Sequence, residues 1–170
     1  MYRTKDGKRI VLRRVTRGDI DNIVRLWQAL ADKGRYIATD RVTVEQKNRW
    51  IKSLHDRGVL WVLAEIEGQL AGSLSLARHH DSEKTKHVRS LAIGIAREYR
   101  GMGVGSALMD YAVRWARQRK VKKIVLSAFS TNKRATALYK KFGFAVEGTR
   151  KKQFLIHGKY VDEVMMGRFM

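Results

Sequence analysis

The feature that most constrains this chain is a strand, a glycine-rich turn and an amphipathic helix that follow one another between residues 91 and 120. The helix is predicted over about 104–120, because apolar residues recur at i, i+3, i+4, i+7, i+8 and i+11: Val104, Ala107, Leu108, Tyr111, Ala112 and Trp115. This signal predicts one buried stripe, and the strands on either side make the segment a βαβ unit of an α/β protein.

The rest of the chain extends this unit into a mixed sheet. Strands are predicted over 9–15, 59–66, 70–77, 87–95 and 124–129, with short closing strands over 144–146, 153–156 and 160–166. Helices are predicted over 19–31, from the Thr43-x-x-Gln46 capping box to near Gly58, and over 133–142. Glu67-Gly68 separates two apolar runs as a hairpin turn. The order predicts one domain over residues 1–170, with a mixed central sheet flanked by helices.

Charge and cysteine content limit the classes of function. The chain has 36 Lys and Arg against 16 Asp and Glu, a net charge of +20, which suits binding to polyanions such as nucleic acid or a phosphorylated cofactor. Cysteine is absent, which excludes disulfides, zinc ribbons and thiol nucleophiles. No apolar run is long enough to span a bilayer, and the first residues do not form a signal peptide, so a cytoplasmic protein without a membrane partner is expected.

The glycine-rich turn predicts an anion site. Gly101, Gly103 and Gly105 allow backbone N–H groups to turn inward, and the helix that follows directs its positive end at the same place. The spacing matches neither the G-x-x-x-x-G-K-[ST] loop of P-loop NTPases nor the G-x-G-x-x-G loop of dinucleotide-binding folds. The predicted ligand is therefore a phosphate or pyrophosphate held by a different loop.

Two motifs resemble those of the GNAT acyltransferase superfamily. Arg100-Gly101-Met102-Gly103-Val104-Gly105 resembles the [Q/R]-x-x-G-x-[G/A] loop that binds the pyrophosphate of acyl-coenzyme A. The segment 132–144 is similar to the family's N-x-x-A-x-x-x-Y-x-x-x-G-F element at every named position, and the segment 158–166 is similar to the ending of amino-acid and protein N-acetyltransferases. The resemblance covers nearly the whole chain and implies a GNAT-like acyl-CoA N-acyltransferase fold.

The resemblance also implies an activity and a set of site residues. The activity is transfer of an acetyl group from acetyl-CoA to a primary amine, by direct attack in a ternary complex. The pyrophosphate would be held by Arg100, Gly101, Met102, Gly103, Val104, Gly105 and Ser106. The strand edge at Ile93 and Ile95 would bond the pantetheine arm where the sheet splays apart, and an N–H there would stabilise the oxyanion. Asn132 would bond the pantetheine side of the cofactor, and Tyr139 would protonate the departing thiolate; their spacing of seven places both on one helix face.

The general base and the acceptor are less defined. The base is either His87, at the start of the strand before the loop, or a water chain. The acceptor is a protein N-terminus, a lysine, an amino acid or a polyamine; Asp32, Asp40 and Glu45 would favour a cationic one. His79 and His80 lack further ligand spacing, so no metal site is predicted.

A second class of function stays open from sequence alone. The acid-free run between Asp110 and Glu147 contains ten Lys and Arg residues, which would also suit a nucleic-acid or ribosome-binding module without catalysis. The same charge would suit an enzyme that acts on ribosomal proteins. The oligomeric state, monomer or homodimer, is not readable from the sequence.

Overall fold

The computed structural model describes residues 1–31 and 41–170. Within them the strands are β1 (Tyr2–Arg3), β2 (Arg9–Arg14), β3 (Leu60–Ile66), β4 (Gln69–Arg78), β5 (Val88–Ile95), β6 (Lys123–Phe129), β7 (Ala145–Ile156) and β8 (Lys159–Phe169). The helices are α1 (Ile20–Ala31), α2 (Val44–Ser53), α3 (Val104–Gln118) and α4 (Lys133–Lys141). The predicted mixed α/β architecture is confirmed.

The strands of the described residues form one sheet in the order β1-β2-β3-β4-β5-β6-β8-β7. The pairs are antiparallel except β5 with β6, which are joined by the crossover helix α3 and run parallel. β8 lies between β6 and β7, so the last hairpin attaches to the sheet through its second strand. In this order the parallel pair is the fifth and sixth of the eight strands.

Local signals in the sequence set several of the boundaries. The backbone N–H of Gln46 donates to Thr43 Oγ1 and the Gln46 side chain accepts from the Thr43 N–H, which is the predicted capping box at the start of α2. Glu67 and Gly68 have φ of 52° and 76°, as a two-residue hairpin turn with both central residues left-handed requires. Gly103 caps α3 at a φ of 96°.

The structure corrects two predictions at the ends of the chain. A two-residue strand, β1, pairs with β2 and was not predicted, because two residues carry no periodicity. The closing strands predicted over 144–146 and 153–156 are one strand, β7, whose register with β8 shifts between Val146 and Gly148 and again between Arg150 and Phe154. The basic residues between them carried no alternation to predict a strand, and pairing with β8 holds them extended.

The sheet is covered on both faces. The side chains of α3 pack on the central strands in the larger core cluster, where Val104, Leu108 and Met109 are fully buried. Ile23 of α1 belongs to a smaller cluster on the other face with Trp61 and Leu63 of β3. No helix within residues 1–31 and 41–170 is both long and apolar enough to cross a membrane.

Candidate active site

The two parallel strands separate at the centre of the sheet. β5 and β6 pair only through Val88 with Lys123, Arg89 with Ile124 and Ser90 with Val125. β5 continues to Ile95 and β6 to Phe129, yet these halves are not paired with each other. The sheet therefore contains the predicted opening, bounded by unpaired backbone on both sides.

The direction of the backbone groups of β5 follows from its neighbours. The Ala96 N–H donates to Ala71 at 3.0 Å, toward β4, whereas the His87 carbonyl accepts from the Lys122 N–H, toward β6. Because backbone groups alternate along a strand, the odd-numbered residues of β5 direct their N–H and C=O groups toward β6. Ile93 and Ile95 thus present backbone groups to the opening, where the Ile95 carbonyl accepts from Arg100 Nε at 3.3 Å.

The glycine-rich loop lies beyond the end of β5 and opens α3. Gly101 and Gly103 both have positive φ, 88° and 96°, which L residues rarely adopt. A Cβ on Gly101 would lie 2.7 Å from a guanidinium nitrogen of Arg134, so this cation of α4 sits against the loop. The first turn of α3 has no acidic residue, which leaves its N–H groups and dipole to an anion. The residues present therefore fit a bound pyrophosphate.

Helix α4 holds both predicted residues of the second motif. The Asn132 side-chain oxygen caps the helix by accepting from the Ala135 N–H at 3.2 Å, which leaves its amide N–H₂ to bind another group. Tyr139 is buried, with its ring centroid 6.2 Å from that of Phe144. Burial raises the pKa of Tyr139 to about 12, so the hydroxyl carries its proton at neutral pH.

The Tyr139 hydroxyl is available to a ligand. It makes no hydrogen bond to any residue in 1–31 or 41–170. No side-chain nitrogen or oxygen in these same residues is both fully buried and unpaired. The ring is therefore enclosed while the oxygen reaches an accessible surface.

The structure does not bring His87 to this group of residues. His87 precedes β5 and is exposed, at the end of the strand away from the glycine loop. Six residues separate it from Ile93, which is about 20 Å at the rise of a β-strand. Its carbonyl accepts the N–H groups of Lys122 and Lys123, where β6 begins.

The remaining sequence-predicted groups are dispersed. Asp32 and Asp40 lie outside the described residues, and Glu45 is exposed in the first turn of α2. His79 shares a hydrogen bond of 2.7 Å with Ser90 Oγ, and its ring lies against that of His80, tilted by 54° with centroids 4.1 Å apart. Across residues 1–31 and 41–170, no three His, Asp or Glu side chains are grouped as ligands for a metal ion.

A polar cleft beside the glycine loop was not predicted. It has a volume of about 880 Å³ and lies between α1, the β3–β4 turn, the segment after β5 and the β7–β8 turn. Its polar lining includes Arg25, Arg97, Arg100 and His157, with Glu98 as the acid. Three separate segments contribute these residues, so no local pattern in the sequence could have indicated that they meet.

Three features together define an acyl-CoA-dependent acyltransferase fold: the separated parallel strands, the positive-φ loop at the start of a helix and the tyrosine of α4. The model of the Acetyltransferase (GNAT) family matches residues 23–144, more than half of the chain. The chain belongs to this family and is an N-acetyltransferase whose cosubstrate is acetyl-CoA. This membership decides between the two classes that the sequence left open, in favour of the enzyme.

Individual relatives agree with this assignment. The chain is 34% identical over 138 residues to the L-amino acid N-acetyltransferase AaaT of Escherichia coli, covering 78% of this chain and 83% of the relative. A crystal structure of the ribosomal-protein-alanine N-acetyltransferase of Brucella melitensis superposes with a TM-score of 0.86 at 25% identity, covering 94% and 99% of the two chains. A Sinorhizobium meliloti phosphinothricin acetyltransferase in complex with acetyl-CoA shares the fold, with a TM-score of 0.86 at 20% identity, covering 95% and 88%.

Proposed function

We propose that the chain transfers the acetyl group of acetyl-CoA directly to a primary amine in a ternary complex. The proposal treats residues 1–170 as one catalytic domain that acts in the cytoplasm. The observation that supports it is the opening between β5 and β6, where the backbone of Ile93 is not paired with β6, on the strand that leads to the positive-φ loop. A pantetheine arm bound along this edge continues the hydrogen bonding that β6 no longer supplies.

The residues of the opening account for the charge that develops during transfer. The amine nitrogen bonds to the thioester carbon while the carbonyl oxygen becomes an oxyanion, and the Ile93 N–H donates to that oxygen. The carbon–sulfur bond then breaks, and the Tyr139 hydroxyl protonates the departing thiolate. Since the pKa of Tyr139 is raised to about 12, the hydroxyl remains protonated throughout the neutral range.

The amine must lose a proton before it attacks, because its ammonium form has no lone pair. Of the two bases considered from the sequence, His87 lies about 20 Å along the strand from Ile93. We therefore assign the proton to water in the opening. This assignment predicts a rate that rises with pH until the free amine is deprotonated, with no step at the pKa of a histidine.

The role of Tyr139 is tested with Tyr139→Phe, which keeps the ring and its contact with Phe144. We expect kcat to fall by about 10²-fold with acetyl-CoA affinity unchanged, since general acids contribute roughly 10²–10⁴-fold and a thiolate is already a good leaving group. Tyr111→Phe, at a partly buried tyrosine of α3, is the matched control. Wild-type kcat in the Tyr139 variant at every pH would remove this residue from the mechanism.

For the acceptor, we infer a small amine that also carries a carboxylate, as an amino acid does. The observation in favour is the cleft beside the loop, where the guanidinium groups of Arg25 and Arg97 outnumber Glu98, the acid of its lining. Guanidinium groups bind carboxylates through paired, charge-assisted hydrogen bonds. The E. coli relative named above acts on L-amino acids, which supports the same class.

The acceptor class is tested with Arg25→Gln and a panel of amines. We expect KM for an L-amino acid to rise at least tenfold and KM for acetyl-CoA to stay constant, while Arg49→Gln on α2 changes neither. An amino acid amide, which lacks the carboxylate, should be a poor substrate for the wild type. If a polyamine is the better substrate, the cleft does not select the acceptor, and Asp40→Asn with Glu45→Gln becomes the informative variant.

A ribosomal protein N-terminus is the second candidate acceptor. It is favoured by the net charge of +20, which suits association with ribosomal RNA, and by similarity to the Brucella enzyme. Peptides with a free N-terminal alanine belong in the same panel. Faster acetylation of such a peptide than of free amino acids would favour this candidate over the amino acid.

A further inference from the structure

The long basic run of the sequence is divided between two ends of the molecule. Lys133 and Arg134 begin α4, next to the glycine loop. Two more, Arg114 and Lys123, pair with Asp110 and Glu147. The remaining six cations lie where α3 and α4 end and where β6 begins: Arg117, Arg119, Lys120, Lys122, Lys140 and Lys141. We call this second group the amino-end surface, because it lies at the amino end of the parallel strands. The length of β5 separates it from the loop by roughly 25 Å.

Backbone contacts join the members of the amino-end surface. The Lys120 N–H donates to Arg117, and the N–H of Met170, the last residue, donates to Lys122. Arg168, on the neighbouring strand β8, donates to the carbonyl of Phe142 at the end of α4. The two helix ends, the start of β6 and the end of β8 thus form one continuous surface.

Carboxylates of the described residues do not neutralise this surface. Within residues 1–31 and 41–170, no carboxylate forms an ion pair with any of the six cations or with Arg168. The nearest acid in sequence, Glu147, is paired with Lys123 at 2.7 Å. Burial and then the nearby charge of Arg117 lower the pKa of Arg168, as accumulated positive charge should.

Helix dipoles do not explain the whole cluster. Arg117, Lys140 and Lys141 lie in the last turns of helices, where a cation is favourable. Arg119, Lys120 and Lys122 lie beyond the helix, and their mutual repulsion opposes folding. An aromatic side chain lies at the same end of the sheet: Phe169 is 72% exposed and lies opposite Lys123, on the face of the sheet away from Arg168.

We propose that the amino-end surface binds the phosphate backbone of a single-stranded nucleic acid, with Phe169 stacking on a base. Cations without a carboxylate partner, with an exposed aromatic ring at the same end of the sheet, match this ligand, because phosphates supply the charge and every base has a face on which a ring can stack. The amino-end surface lies at the far end of β5 from the glycine loop, so the nucleic acid and acetyl-CoA bind to the protein at the same time. Binding of this kind would hold the enzyme near substrates that occur with RNA.

The test measures binding of a fluorescent 20-mer of uridine by anisotropy at several KCl concentrations, with a DNA 20-mer of thymidine to distinguish the two nucleic acids. The triple variant K122Q/K140Q/K141Q should bind at least tenfold more weakly at 100 mM KCl. Its slope of log K against log salt should be smaller by about 2, since each contact to a single strand contributes roughly 0.7. The control R17Q/R49Q/K52Q removes the same charge from exposed residues elsewhere and should stay within twofold of wild type.

Phe169→Ser separates stacking from charge. It should weaken binding about fivefold or more while leaving the salt slope unchanged. Equal losses in the triple variant and its control would overturn the proposal, since binding would then reflect net charge alone. Binding to vesicles of anionic lipid without binding to either oligonucleotide would also overturn the proposal. Acetyl-CoA affinity, measured on the same variants, should not change, which keeps this outcome separate from that of the proposed function.

Discussion

Gly103 offers the sharpest test of how the chain holds acetyl-CoA. It caps α3 with a φ of 96°, and a Cβ at this position would have the carbonyl oxygen of Arg3 as its nearest neighbour, at 3.7 Å. A Cβ therefore fits without a clash, and its cost to folding comes from the left-handed backbone, about 1–2 kcal/mol. Gly7 has a φ of 88° and open space around its Cβ position, so Gly7→Asp imposes the same strain in the β1–β2 turn, outside the glycine loop.

The effect on binding is larger for aspartate than for alanine. A carboxylate at Gly103, about 6 Å from a bound phosphate, repels one unit of charge by roughly 1–3 kcal/mol for effective dielectric constants between 80 and 20. Gly103→Asp should therefore raise the dissociation constant of acetyl-CoA at least tenfold, which corresponds to about 1.4 kcal/mol. Gly103→Ala lacks the charge and should have a smaller effect that does not depend on salt.

The affinity of each variant for acetyl-CoA is measured by calorimetric titration at low and high salt, and its stability by thermal unfolding. Both aspartate variants should lose similar stability, and only Gly103→Asp should lose affinity. A folded Gly103→Asp protein with wild-type affinity would refute the pyrophosphate assignment. An equal loss of affinity in Gly7→Asp would show that strain or stability, and not the loop, controls binding.

Three further predictions concern charge and protonation. The pKa of Tyr139 is about 12 in the folded protein and about 10 in the unfolded chain. Between those pH values the wild type should therefore lose up to about 3 kcal/mol of unfolding free energy relative to Tyr139→Phe, as measured by urea denaturation. An equal dependence of unfolding free energy on pH in both proteins would contradict this. Arg13 bonds both carboxylate oxygens of Asp19, at 2.7 and 2.8 Å, and holds the pKa of Asp19 well below its usual range. Arg13→Gln should cost about 1–2 kcal/mol near pH 7, and this difference should shrink as pH falls below 4 and Asp19 is protonated; a difference independent of pH would be the contrary result. Arg134→Gln should weaken acetyl-CoA binding about three- to tenfold at low salt and less at 0.5 M KCl, and an equal loss at both would exclude an electrostatic contact with the loop.

The parts of the fold that depend on neighbouring residues were predictable. The stripe of α3, the Thr43–Gln46 capping box and the Glu67-Gly68 turn each arise within a few residues, because helix faces, caps and two-residue turns are formed by side chains close in sequence. The motifs of the glycine loop and of α4 also lie within short segments of the sequence, and these motifs indicated the family. The positions of Asn132 and Tyr139 on one helix followed from their spacing.

Tertiary structure decided what the sequence left open. The acid-free basic run was continuous in sequence, yet β6 and α4 carry Arg134 to the glycine loop and Lys140 to the opposite end. His87 precedes β5 in sequence and lies at the end of this strand away from the glycine loop. The opening beside Ile93 and the cleft of Arg25 and His157 need segments from distant parts of the chain. Sequence alone determines local conformation, because those energies are set by near neighbours; contacts between distant segments depend on how the whole sheet packs, and the site consists of such contacts.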